Sequence, residues 1–199
     1  MIRFKIFFLI ICLNSCAGFD YFQAIPLIKN SLTGNKDIII SDDFINQREF
    51  SFAKIKIGRS SPVILSLESI NENLYEWVSA DQERIYTLNG KIIRTEGLIY
   101  NTNHLNIATP PNYNALPSTQ LNLVMLTNPN AMIKQQSELY IHSSSEIDII
   151  IFEEIETSQY KWNFTNEYVV DKRTMLVKKS VQKIHPKLSE FNIEFFYKF

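Results

Sequence analysis

The side chains able to do chemistry are few and scattered: His104, His142 and His185, cysteines at positions 12 and 16, and the carboxylate runs Asp42-Asp43 and Glu153-Glu154-Glu156. A metal site needs His, Cys, Asp or Glu at ligand spacing, and no histidine here has such neighbours, so neither a metal nor another cofactor is expected. Paired carboxylates across a cleft would suit glycoside chemistry, yet Asp42-Asp43 reads more simply as a helix start and Glu153-Glu154-Glu156 as a solvated strand face. There is no Gly-rich phosphate loop, no Gly-x-Ser-x-Gly elbow, and no serine or cysteine beside a recognisable base. No catalytic residue is assigned, and the chain is expected not to be an enzyme. The most distinctive run is Trp77-Val78-Ser79-Ala80-Asp81, followed by Arg94 and Thr95. Trp77 is a large anchor, Asp81 suits a turn, and Arg94 and Thr95 close a strand before Gly97 breaks it. Their expected part is to fix a hairpin and its packing, with direct ligand contact as the alternative.

Cys16 is a separate case. The chain opens with Arg3 and Lys5 and then runs without charge from Ile6 to Leu13, the charged start and short apolar stretch of a secretory signal. A membrane-spanning helix takes about 20 predominantly apolar residues, so this segment targets the protein and does not anchor it. Leu13-Asn14-Ser15-Cys16 resembles a bacterial lipobox, in which a small residue precedes a cysteine that is acylated, for instance with palmitate, and becomes the new N-terminus. Asn14 departs from the small or hydroxyl residue the pattern prefers. The reading is a signal peptide over residues 1–15, cleavage between Ser15 and Cys16, and lipid on Cys16. Cys12 leaves with the signal, so Cys16 is the only thiol of the mature chain and no intramolecular disulfide can form. Arg3 and Lys5 leave too, which moves the formal charge from −1 to −3. That balance argues against nucleic acid as a partner, since binding it needs a concentrated basic surface.

The elements that must position these residues are mostly strands. Residues 16–36 read as the lipidated N-terminus and linker, with a short helix possible over Phe22 to Leu32, and residues 37–199 as a single β-rich domain. Ser41-Asp42-Asp43 has the N-cap and acidic first turn of a second short helix. Beyond residue 50 the apolar period becomes two: Ala53, Ile55 and Ile57 alternate with Lys54 and Lys56, and Val63, Leu65 and Leu67 alternate with Ser66 and Glu68. Leu74 to Val78 follows, and Arg84 to Leu88 is joined to Lys91 to Thr95 by Asn89-Gly90, a strong hairpin signal. Residues 101–119, rich in Asn and Pro, read as one long loop dividing the strands into two sets. Strands resume at Leu121 to Leu126, Glu138 to His142, Ile147 to Glu156, Tyr160 to Thr165, Tyr168 to Val170, Thr174 to Lys183 and Asn192 to Tyr197. The expected fold is therefore mainly β, an antiparallel meander forming a strongly curved sheet, half-barrel or partly open barrel, with one or two short N-terminal helices.

Several of these segments resemble the YjbF family of group 4 capsule polysaccharide lipoproteins. The likeness rests on Trp77-Val78-Ser79-Ala80-Asp81, on Thr87, on Asn89-Gly90-Lys91-Ile92-Ile93-Arg94-Thr95 and on Gly97-Leu98. It extends to Trp162, Asn166-Glu167-Tyr168-Val169-Val170-Asp171, Val177-Lys178-Lys179-Ser180-Val181-Gln182 and Pro186. Lys91 stands where the family usually has arginine, and Glu167 where another aromatic is common. The resemblance implies a lipoprotein of the outer membrane, its domain in the periplasm, held to the membrane through lipid on Cys16. It also implies a non-catalytic accessory of capsule or exopolysaccharide export and assembly, whose partners would be the export proteins or the polysaccharide itself. Trp77, Asp81, Arg94, Thr95, Trp162 and Tyr168 are its interaction or structural signature. The competing reading is a half-barrel carrier that holds a lipid or other apolar ligand among the many Phe and Ile residues. A packed interior would favour the first reading and a wide open pocket the second.

Overall fold

The computed structural model describes residues 40–106, 113, 116–158 and 160–199. The expected signal peptide, the Ser15–Cys16 cleavage point, the lipid site at Cys16, the linker and the helix over Phe22 to Leu32 all lie outside the described residues. The described chain opens with a short helix, α1 (Asp42–Asn46), whose N-cap Ser41 accepts the Phe44 amide through Oγ while Asp42 and Asp43 occupy the first turn, where negative charge suits the helix dipole.

Twelve strands follow: β1 (Phe52–Ile57), β2 (Val63–Asn71), β3 (Leu74–Val78), β4 (Arg84–Leu88), β5 (Lys91–Glu96), β6 (Thr102–His104), β7 (Ser118–Leu126), β8 (Ala131–Ser144), β9 (Asp148–Thr157), β10 (Phe164–Asp171), β11 (Val177–Gln182) and β12 (Phe191–Phe196). Each pairs antiparallel with its neighbours in sequence, and β1 closes on β12 from Phe52↔Phe196 to Ile57↔Phe191. The meander is thus a fully closed barrel, and closure leaves no unpaired strand edge to recruit another chain. Two expectations change. The Asn- and Pro-rich segment holds β6, three residues that pair with both β5 and β7, so the strands form one sheet and not two sets. The separate strands expected at Tyr160 to Thr165 and Tyr168 to Val170 are one strand, β10.

The alternation read from the sequence assigns faces. Ala53, Ile55, Leu65, Tyr75, Trp77, Ile85, Ile193 and Phe195 point inward and form the core. On the outer wall Phe52 stacks on Phe196 with ring centres 4.7 Å apart, and Phe44 of α1 covers it edge-on at 5.7 Å.

Barrel diameter grows with strand number, and twelve strands on a round section would leave a lumen. Here the walls meet. The β4–β5 turn uses Asn89 and Gly90, both at positive φ (48° and 80°), the two-residue geometry that Asn-Gly favours. A Cβ built on Gly90 would lie 2.5 Å from the Cβ of Val177 on β11, the strand opposite β5 in the barrel order. Only glycine satisfies both the turn and the contact.

Candidate functional site

Where the β4–β5 hairpin meets the far wall, the interior becomes polar. The Gln182 side chain on β11 accepts the Ile92 amide at 2.8 Å, and donates to the Gly90 carbonyl at 2.8 Å and to Ser180 Oγ at 2.9 Å. One amide side chain thereby stands in for a strand pairing between opposite walls. Next to it, Lys91 donates from Nζ to Glu153 Oε1 on β9, and the other carboxylate oxygen accepts from Tyr168 Oη at 2.7 Å and Asn166 Nδ2 at 3.1 Å. Asn166 uses its own oxygen on the Lys183 amide at 2.9 Å. Tyr113 donates to the Asn89 carbonyl at 2.8 Å, holding the turn from a third side.

Electrostatics fit this arrangement. Burial alone would raise the Glu153 carboxyl, but the Lys91 ammonium and the hydrogen bonds from Lys91, Tyr168 and Asn166 outweigh it and hold the group below its ordinary value. Burial, then the Glu153 charge, pushes the Tyr168 phenol well up. The carboxylate is desolvated, and both of its oxygens accept hydrogen bonds, from Lys91 on one and from Tyr168 and Asn166 on the other. These bonds weld β5, β9 and β10 together.

His104 on β6 lies close enough to feel both charges, and its pKa is lowered from 6.5 to about 3, by burial first and the Lys91 ammonium second. It is a neutral ring. His185 is held by the Thr127 carbonyl at 3.0 Å and by the Lys187 amide at 3.1 Å, while His142 stacks on Phe152 at 4.1 Å. Among the described residues no group of three His, Cys, Asp or Glu side chains is arranged to hold a metal ion.

The residues singled out in the sequence do not converge on one site. Trp77 is buried and donates from Nε1 to Thr87 Oγ1 at 2.9 Å. Thr95 is buried, and its Oγ1 accepts the Thr102 amide at 3.1 Å, tying β5 to the short β6. Trp162 packs on Phe164 with ring centres 4.4 Å apart, in a second apolar cluster with Val124, Leu126 and Ile133. Tyr168 belongs to the Glu153 network. Asp81 and Arg94 lie outside, Asp81 in the exposed β3–β4 turn and Arg94 over the Tyr86 ring at 5.1 Å and paired with Glu96.

One expectation is corrected here: the run Glu153-Glu154-Glu156 is not a uniformly solvated face. Glu154 and Glu156 are exposed, but Glu153 is fully buried. The signal was present, since Glu153 shares its parity with Ile151 and Ile155. Asn166 carried the same signal, sharing the parity of Tyr168 and Val170, whereas Gln182 did not, because its partners Ile92 and Gly90 come from the opposite wall.

The outer wall over β10, β11, β12 and β1 carries a different feature, a groove of about 400 Å³. The strand register sets its lining in two rows. One runs Lys54, Glu194, Lys179, Val169 and the other Lys56, Asn192, Val181, Glu167. Lys54 and Lys179 approach the same Glu194 oxygen, at 3.9 and 3.8 Å.

Comparison with known proteins follows this geometry. The family model described as group 4 capsule polysaccharide lipoprotein gfcB, YjbF, matches residues 27–196. Among solved structures, the hypothetical lipoprotein YmcC from Escherichia coli (K12) superposes with a TM-score of 0.69 over 92% of this chain and 97% of that one, at 19% identity. At that identity the likeness speaks for the shared fold. No protein of curated function matches the chain.

Proposed function

Because the chain belongs to the YjbF family of group 4 capsule polysaccharide lipoproteins, we propose that it is a non-catalytic accessory of capsule or exopolysaccharide export and assembly, held by lipid on Cys16 to the outer membrane. The observation that carries this reading is the family match over residues 27–196. The geometry supports it from a second side. The two segments that distinguish the chain, Asn89 to Thr95 and Val177 to Gln182, are joined through Gln182 and the Gly90–Val177 contact, so they serve the scaffold and leave the outer walls for interaction. The carrier alternative would use the interior apolar residues to line a cavity. Instead Trp77 contacts Phe195 with ring centres 5.4 Å apart and Tyr75 contacts Tyr197 at 5.9 Å, rings packed on one another.

Ala17 follows the acylated cysteine where aspartate would favour inner-membrane retention, which supports outer-membrane sorting. Two or more acyl chains make such anchoring stable. Deletion of the gene, with surface and intracellular polysaccharide measured separately, tests the reading. The expected result is a fall at the surface while polymer continues to accumulate inside; unchanged polymer in both places would refute it. Polymer cleavage by the purified protein would replace it with an enzymatic role.

A further inference from the structure

We propose that the barrel end holding the β2–β3, β4–β5, β8–β9 and β10–β11 turns lies against the lipid surface to which Cys16 is anchored; this deepens the reading above and rests on its acyl anchor. In an antiparallel ring β1 begins and β12 finishes at that same end, so the segment leading back to Cys16 enters the domain there. Residues 17–39 separate Cys16 from the first described residue, a span of at most about 80 Å for a fully extended chain. Both barrel ends lie within that reach, but contact through the far end requires the tether to pass the whole length of the barrel.

At the near end, exposed apolar side chains gather where the ring closes. Phe50 and Phe199, 44% and 72% exposed, flank the bond from the Lys198 amide to Ser51 Oγ at 2.8 Å. Phe199 leans on Tyr75 and Tyr197, with ring centres 6.4 and 5.4 Å away, and Ile70, 49% exposed, is the register partner of Tyr75. On the other side of the mouth Ile147 is 66% exposed in the β8–β9 turn, where its amide donates to Ser145 Oγ at 3.3 Å and its carbonyl accepts the Lys172 amide at 2.9 Å. These side chains are presented on held backbone, and a flat surface that touches both sides meets the barrel end-on. Arg48 lies over the Phe44 and Phe50 rings, 4.6 and 5.5 Å from their centres, a pairing suited to a headgroup boundary, where the ring enters and the guanidinium stays wet.

Charge does not select the surface. Arg48, Lys172 and Lys198 share this end with Glu49, Glu72 and Glu146, so attraction to anionic headgroups is offset and apolar contact dominates. The far end also exposes apolar residues, Val63, Ile99 and Tyr160, and there the entry point of the tether decides. The contact needs little intrinsic affinity, because the anchor supplies a high effective concentration of lipid.

The test uses the full-length mature lipoprotein in vesicles of phosphatidylethanolamine and phosphatidylglycerol whose acyl chains carry a nitroxide near the headgroup. With Cys16 acylated, a single introduced thiol takes the fluorophore: Glu146→Cys in the near β8–β9 turn, or Asp81→Cys in the exposed β3–β4 turn at the far end. Quenching at position 146 is expected to exceed that at 81 about threefold or more, since an apolar face settles about 5 to 10 Å into the headgroup boundary, and it should persist in high salt. Phe50→Ser, Ile147→Ser and Phe199→Ser together should bring position 146 down to the level of 81, with the unfolding midpoint moved by about 2 °C or less, because changes at exposed positions cost little. Equal quenching at the two positions, stronger quenching at 81, or a triple variant quenched like the parent would each overturn the assignment. Retention on the vesicles separates this failure from that of the functional reading: protein that is retained but quenched equally at both ends condemns the docking alone. Protein washed from the vesicles condemns the acyl anchor, and the same quenching at millimolar lipid then still decides the docking.

Discussion

The barrel interior has two halves built on opposite principles. Around β1, β2, β3, β4 and β12 it is apolar, with Trp77, Leu65, Ile85, Ile193 and Phe195 in mutual contact. Between β5 and β9–β11 the apolar cluster continues through Ile92, Ile151, Val170 and Val177, but it also encloses a polar network, with Lys91, Glu153, Asn166, Tyr168 and Gln182 buried and hydrogen-bonded. Apolar packing is additive and forgiving of partner, because dispersion and solvent release need only shape and area. A buried polar network is conditional: complete, it fixes which strands face each other; with one member missing, it leaves a desolvated group unmatched. The polar half therefore gives the barrel its particular collapsed section, while the apolar half gives most of its cohesion.

Single substitutions of the largest effect sharpen this contrast. Lys91→Met should cost about 3 to 5 kcal/mol because it leaves Glu153 charged and buried without its cation. Adding Glu153→Gln should recover at least half of that loss, since the charge is gone while the Gln oxygen still accepts from Tyr168 and Asn166. Trp77→Ala should also cost about 3 to 5 kcal/mol, a large share of the roughly 5 to 15 kcal/mol a domain has, but no second polar-to-neutral change should restore it. Urea unfolding of these three variants and of Glu153→Gln alone compares the halves; additive losses at Lys91 and Glu153 would break the distinction.

A smaller effect is expected at the cross-barrel clamp. Gln182→Ala strips the Ile92 amide and the Gly90 carbonyl of their partner, which should cost about 1 to 3 kcal/mol. Hydrogen exchange should show the loss concentrated in the β4–β5 hairpin. Uniform loosening of the whole barrel would argue that the clamp has no local role.

Acid should reach the polar half first. The unfolded chain binds a proton at His104 as pH falls below about 6.5, whereas the folded chain does so only near 3, so stability declines across that window. Glu153 acts in the same direction. Its folded pKa is depressed, so its contribution is present above about 4.5 and is lost as pH falls through the folded value. His104→Gln should flatten the decline between pH 6.5 and 5 in denaturant titrations; an unchanged slope would assign it to other groups. The smallest effect is predicted at Arg94→Ala, where an exposed ion pair with Glu96 is worth about 0.2 to 1 kcal/mol.

What the sequence revealed of this arrangement follows the range of each signal. Period-two alternation is local, and it located eleven of the twelve strands along with the Asn89-Gly90 turn. β6 escaped because three residues among asparagines and prolines carry no period; Thr102–His104 is extended because β5 and β7 flank it. Closure needs the pairing of β1 with β12, and no local pattern distinguishes a strand destined for an edge from one that will close a ring. The parity of Glu153 with Ile151 and Ile155 marked it as inward-facing, but its cation, 62 residues away, was not legible. The groove was illegible for the same reason, since Lys54, Lys179 and Glu194 become neighbours only through register.

The most direct test asks whether the polar half is scaffold or working site, and it is the surface polysaccharide of cells carrying Lys91→Met with Glu153→Gln in place of the parent protein. If the network serves the fold, export should return to the parental level to the extent that stability does, with the single Lys91→Met variant lower in both. A double variant as stable as the parent that still fails to support surface polymer would contradict the scaffold role and make the buried pair itself the functional site.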